Sequence, residues 1–127
     1  MGVLCGIDII EIDRVQKSIE AHSSFINKVF SDREIELCNK RKSARFQSYA
    51  ARFAAKEAVS KAFGTGIGKD VGWKEIEILS DENGKPVIQL SGKSEELYKR
   101  IGAVDISISL SHCTNTAVAC AVIQTNL

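Results

Sequence analysis

Apolar residues near the start of the chain fall on both sides of an extended backbone. Val3, Cys5, Ile7 and Ile9 share one face, and Leu4, Gly6, Asp8 and Ile10 share the other. Apolar character on both faces predicts a strand over 3–10 that is central in a sheet or covered on both sides. Asp13 is then placed to cap a short helix whose Val15 and Ile19 form one buried stripe. A second helix start is written in FSDREIELC, where Ser31 and Glu34 make a capping box and Phe30 and Ile35 a hydrophobic staple. That motif is local architecture and points to no chemistry.

The longest helical pattern spans 43–63 and stops at Gly64. At about 100° per residue, Phe46, Tyr49, Phe53 and Ser60 gather on one side, and Ala51, Ala55, Ala58 and Ala62 on the opposite side. The small residues allow close backbone approach, and a helix apolar on two faces belongs in the middle of a structure that can include another subunit. Arg45, Arg52 and Lys56 lie along one flank of the aromatic side.

Beyond the GTGIGKDVG loop, WKEIEIL and PVIQL read as strands joined by a turn at Asn83-Gly84. SGKSEELYKRI reads as a short helix stopped by Gly102, and DISISLS and AVACAVI as strands around the HCTNT turn. The order is strand, three helices, two strands, helix, two strands, without repeats or linkers. This predicts a single α+β domain over residues 1–127, with a largely antiparallel sheet packed on one long central helix and shorter helices.

Composition narrows the function classes. A chain of 127 residues suits one domain, and its 44% hydrophobic content can fill a core. Seventeen Lys and Arg against sixteen Asp and Glu leave a net charge of +1, which disfavours a nucleic-acid-coating role and directs any polyanion to a local pocket. Four Cys without a C-x-x-C pair, and only two His, do not make a disulfide framework or a structural zinc site. The opening segment has no basic n-region, position 6 is Gly where myristoylation requires Ser or Thr, and no run reaches membrane-span length. A reducing cytoplasm is the expected location.

Two carboxylates stand out. Asp8 sits in a core-like strand, where an unpaired charge costs several kcal/mol, so it needs a cation, a hydrogen-bond partner or solvent. An ordinary ion pair with an Arg, or a turn cap, would also meet that need. Glu57 falls between Phe53 and Ala50 on the aromatic side of the long helix, and a surface pair with Lys61 would contribute only about 0.2–0.5 kcal/mol. Two such acids facing one groove suit Mg²⁺, and Lys56 and Lys61 especially would then suit phosphate oxygens; a structural ion network is the competing reading.

The Gly64-Thr65-Gly66 loop either presents backbone N–H groups to phosphates or simply ends the helix. Neither Gly68-Lys69 nor Gly92-Lys93-Ser94 completes a P-loop. His112, beside Ser111 at a strand end, is either a ligand contact or a residue satisfied by backbone, and no nucleophile elbow accompanies it.

GIDIIEIDR, FAAKEAVSKAFGTG, WKEIEI, ENGKP and ISLSHCTNTAVACAV, in this order, resemble the small class of 4′-phosphopantetheinyl transferases, the holo-[acyl-carrier-protein] synthases, over essentially the whole chain. The resemblance implies Mg²⁺-dependent transfer of 4′-phosphopantetheine from coenzyme A to a serine of an apo acyl carrier protein, releasing adenosine 3′,5′-bisphosphate, in fatty acid biosynthesis. It assigns the metal to Asp8 and Glu57 and the pyrophosphate contact to Lys61. The coenzyme site falls to Gly64, Thr65 and Gly66, with Ser111 and His112 near the nucleotide phosphates, and carrier docking to Arg14. Larger relatives fuse two similar halves and carry a third acid where this chain has Ile10, and strand alternation turns Glu11 away from Asp8. A half-sized chain implies a homotrimer with sites between neighbours, leaving open which protomer supplies Ser111 and His112. A non-catalytic coenzyme A or carrier-binding module of the same fold is the alternative.

Overall fold

The structure, a computed structural model, describes residues 1–126; Leu127, the last residue of the expected domain, lies outside the described residues. Strand β1 (Gly2–Glu11) leads into helices α1 (Ile12–Ala21), α2 (Phe25–Val29), α3 (Asp32–Asn39) and α4 (Arg45–Phe63). Hairpin β2 (Ile76–Ser80) and β3 (Pro86–Leu90), helix α5 (Gly92–Arg100), and strands β4 (Ala103–His112) and β5 (Thr116–Thr125) follow. All pairings are antiparallel, in a three-stranded sheet ordered β1-β5-β4 and a separate β2-β3 sheet. The expected α+β architecture around one long helix is therefore present.

Strand alternation sets what α4 meets. Leu4, Gly6, Asp8 and Ile10 of β1 align with Ile123, Ala121, Ala119 and Ala117 of β5, and these with Ile106, Ile108, Leu110 and His112 of β4. Ala54, Ala55, Ala58 and Ala62 of α4 are buried in the same core cluster as Ala119, Ala121 and Ile123. The small stripe does what its spacing predicts. A Cβ on Gly6 would collide with the Ala58 carbonyl oxygen and lie 2.6 Å from the Ala62 nitrogen, so only glycine permits this approach. The aromatic side of α4 packs the other way, with Tyr49 against Phe30 (centroids 4.9 Å apart) and Phe53 stacked on Trp73 (5.0 Å).

Five expectations need correction. Strand β1 is an edge strand with one bare face: Val3, Ile7 and Ile9 are 68%, 61% and 69% exposed. Its two-sided apolar pattern therefore does not arise from burial within one chain. The residue before α1 is Glu11, and Asp13 lies in the first turn, where its charge suits the helix N-terminus. α4 begins at Arg45 after a short 3₁₀ turn over Lys42–Ala44. The short helix α2 was not expected; it fills the gap between α1 and the capping box at Ser31, which is present.

Lys56 is the fifth correction. Sequence places it on a flank among phosphate-binding cations, yet its side chain is fully buried. Its ammonium donates to Glu34 Oε1 at 2.8 Å and to the carbonyls of Trp73 and Ile76 at 2.8 and 2.6 Å. Three donors meet three acceptors, leaving none for a ligand. Burial pushes its pKa down, and the Glu34 charge opposes that shift. Glu34 in turn accepts from the backbone N–H groups of Ser31 and Ile78, both at 2.9 Å, tying α3, α4 and β2 together.

Candidate functional site

The close packing of Gly6 against Ala58 and Ala62 brings the last turns of α4 over β1. Lys61, one helical turn beyond Glu57, reaches across to Asp8, with its ammonium 3.1 Å from Asp8 Oδ1 and 3.1 Å from the Ile7 carbonyl. Asp8 is largely covered and Lys61 half-exposed, so the pair forms the floor and the rim of one site. Glu57 belongs to it: burial, followed by the nearby Asp8 charge, raises its pKa, and Lys61 works against them. The Asp8 carboxylate, from a distant part of the chain, is near enough that its repulsion adds to the rise in the Glu57 pKa. A cation placed between them would relieve it.

The donor set fits a magnesium ion. Mg²⁺ is commonly held by one or two carboxylates, with waters and substrate phosphates completing the shell. Among the described residues no group of three His, Cys, Asp or Glu side chains converges.

The Gly64–Gly66 segment borders this site as the C-terminal cap of α4. Gly64 adopts φ 83°, and its N–H donates to the Lys61 carbonyl, while the N–H groups of Thr65 and Gly66 both donate to Ser60. Those three amides satisfy helix carbonyls and are not presented to phosphates. The segment can therefore contact a ligand only as a wall, through its backbone surface and the Thr65 side chain.

Ser111 and His112 do not join Asp8 within one chain. Asp8 pairs with Ala119, which pairs with Leu110, so β5 lies between; Ser111 then points to the opposite, bare face of the sheet. His112 is at the far end of β4, in a cleft of about 310 Å³ shared with Arg41, Ser48, Arg52 and Pro86 at the N-terminal half of α4. This cleft was not visible in the sequence. Arg52 appeared only as a flank residue, yet it is buried, donating to the Ile78 carbonyl at 2.9 Å and to the Ser48 and Ser80 hydroxyls. Arg14 is exposed on α1, directly after the strand that carries Asp8.

Residues 4–122 match the family model described as the 4′-phosphopantetheinyl transferase superfamily. The chain is 59% identical over 125 residues to the holo-[acyl-carrier-protein] synthase of Ruminiclostridium cellulolyticum, covering 98% of this chain and 93% of that one. Its structure is similar to that of a Bacillus anthracis holo-(acyl-carrier-protein) synthase solved with CoA (3′,5′-ADP), with TM-score 0.81, 35% identity and coverage of 97% and 96%. A Helicobacter pylori holo-[acyl-carrier-protein] synthase solved with coenzyme A gives TM-score 0.82 at 35% identity, covering 95% of this chain and 100% of that one.

Proposed function

The chain belongs to the 4′-phosphopantetheinyl transferase superfamily, and from that premise we propose the following account of its reaction and site. It is an enzyme that transfers 4′-phosphopantetheine from coenzyme A to a serine of an apo acyl carrier protein, releasing adenosine 3′,5′-bisphosphate. The observation that supports this reading is the Asp8–Lys61 ion pair in a half-open site, with Glu57 one helical turn before Lys61 on α4. In the transfer, the serine Oγ forms a bond to the phosphorus of the pantetheine phosphate. The P–O bond to the bisphosphate breaks with its electron pair leaving on the bisphosphate oxygen, and the serine proton passes to Glu57 or to water.

Asp8 and Glu57 would hold Mg²⁺, which when bound supplies charge neutralisation on the pyrophosphate. Lys61 takes a pyrophosphate oxygen and stabilises the leaving bisphosphate as its charge develops. The Gly64-Thr65-Gly66 wall restricts the coenzyme on the side of the helix end. Its small residues keep the passage beside Lys61 open. Arg14, exposed beside the β1–α1 junction, meets an acidic helix of the carrier and delivers its serine toward Asp8.

The remaining parts of the site come from assembly. The bare outer face of the sheet carries Val3, Ile7 and Ile9 with Val122, an apolar surface suited to copies of itself in a homotrimer. Ser111 lies on that same face, and His112 shares its cleft with Arg41 and Arg52, cations suited to nucleotide phosphates. A neighbouring protomer would complete each site with this second group. Four free thiols suit a reducing compartment, and we place the enzyme in the cytoplasm, serving fatty acid biosynthesis.

The test is to incubate the protein with coenzyme A, Mg²⁺ and an apo acyl carrier protein and to weigh the carrier by mass spectrometry. A gain of one phosphopantetheine is expected. Binding of coenzyme A and carrier without any mass gain would instead identify a non-catalytic module.

A further inference from the structure

The loop after α4 is fastened at its far end by one side chain, Glu75. Its Oε1 accepts from the Gly72 N–H at 2.6 Å and its Oε2 from the Lys93 N–H at 2.7 Å, at the start of α5. Its backbone carbonyl takes the Ser91 N–H at 3.0 Å and also the Ser94 hydroxyl. Two glycines make room for the carboxylate. A Cβ on Gly72 would lie 3.1 Å from Oε1, and one on Gly92, already at φ 53°, would collide with Oε2. Between its ends the loop has little regular support. Gly66 and Gly68 take φ 68° and 144°, Gly68 donates to the Val71 carbonyl, and the buried Val71 is the apolar anchor.

We infer that Glu75 is a positioning residue for coenzyme A: it fixes the Gly72 end of the loop that continues from the Gly64–Gly66 wall beside Lys61, whose near end is held by the α4 cap. The assignment rests on the reading above that this loop lines the coenzyme site. Glu75 touches neither of the carboxylates nor Lys61, so its influence falls on how tightly coenzyme A is held and leaves the chemical step alone. Both oxygens accept from N–H donors. Glu75→Gln therefore keeps one bond and points an amide NH₂ at the second donor. Loss of one charge-assisted bond at a loop anchor corresponds to about a tenfold change in affinity.

The experiment is steady-state kinetics of carrier modification, with each substrate varied in turn, on the parent, Glu75→Gln and Gly72→Ala. Gly72 has φ −103°, which alanine adopts freely, so Gly72→Ala folds and shifts the carboxylate without deleting it. The expected result is a KM for coenzyme A about tenfold higher in Glu75→Gln and about threefold higher in Gly72→Ala. Meanwhile kcat and the KM for the carrier should stay within about twofold of the parent. Parental KM for coenzyme A in the variants overturns the assignment, as does a fall in kcat with that KM unchanged. Equal rises in both KM values also overturn it, because they report a merely structural role. If Glu75→Gln does not fold, Gly72→Ala decides alone. A parent that transfers nothing overturns the underlying reading and the assignment together, whereas an active parent with unaltered variants overturns the assignment only.

Discussion

Replacing Lys56 by methionine should destabilise this protein more than any comparable change on α4. The ammonium is fully buried and holds Glu34 Oε1 and the carbonyls of Trp73 and Ile76. Methionine fills similar volume but leaves a buried carboxylate without its cation, a loss of about 3–5 kcal/mol. Against a total of roughly 5–15 kcal/mol, that is a large fraction. With a urea m-value of about 1–3 kcal/mol/M, the unfolding midpoint should fall by roughly 2 M. Trp73, the single tryptophan, reports the transition by fluorescence from beside the lost bond.

The double variant Glu34→Gln with Lys56→Met sharpens the test. If mutual neutralisation were the pair's only role, removing both charges would restore stability, since buried ion pairs often exchange neutrally for uncharged groups. Here the partners are mostly backbone. Glu34 also holds the N–H groups of Ser31 and Ile78, and Lys56 the two carbonyls, each costing about 1–3 kcal/mol when orphaned. The double variant should therefore remain at least about 2 kcal/mol below the parent. Recovery to parental stability, or a Lys56→Met loss under about 1 kcal/mol, would refute the reasoning.

Two more outcomes follow from the site and the sheet. In metal-free protein the raised pKa of Glu57 means the folded state holds its proton more tightly than the unfolded chain, so this group's stabilising contribution is present below about pH 4.5 and lost as pH rises through the folded value. Glu57→Gln should accordingly melt higher than the parent at pH 7 and lose that advantage below about pH 4.5; equal melting temperatures at pH 7 would count against the crowding of Asp8 and Glu57. Ile7→Glu, on the bare sheet face, should keep parental circular dichroism while its mass by light scattering falls from that of the proposed trimer to that of a monomer, and an unchanged mass in the variant would remove that face as the assembly surface.

Local patterns in the sequence carried much of the architecture. The Ser31–Glu34 capping box, the Asn83-Gly84 turn and the glycine stop of α4 each depend on a few adjacent residues, and each is present. The Asp8 argument also needed only local information: a carboxylate in an apolar strand requires a partner, and Lys61 is one. What failed was relational. A helical wheel places Lys56 on a flank but cannot show that Glu34, from another helix, arrives to bury it. The Gly64–Gly66 amides could serve a phosphate or a helix end, and only the positions of the Ser60 and Lys61 carbonyls decide between them. The two-faced pattern of β1 predicts a strand that is central or covered on both sides, whereas it lies at the sheet edge with one face bare within the chain. Glu75 carried no signal, because its partners are backbone N–H groups distributed across two segments.

The most direct test of the central claim, that Asp8 and Glu57 act together on one divalent cation, is the rate of coenzyme A-dependent carrier modification by Asp8→Ala and Glu57→Ala at saturating Mg²⁺. The account predicts that each variant keeps the parental fold by circular dichroism and loses transfer by about two orders of magnitude or more, as expected when transition-state charge stabilisation is removed. Folded variants that both modify the carrier at the parental rate would contradict it.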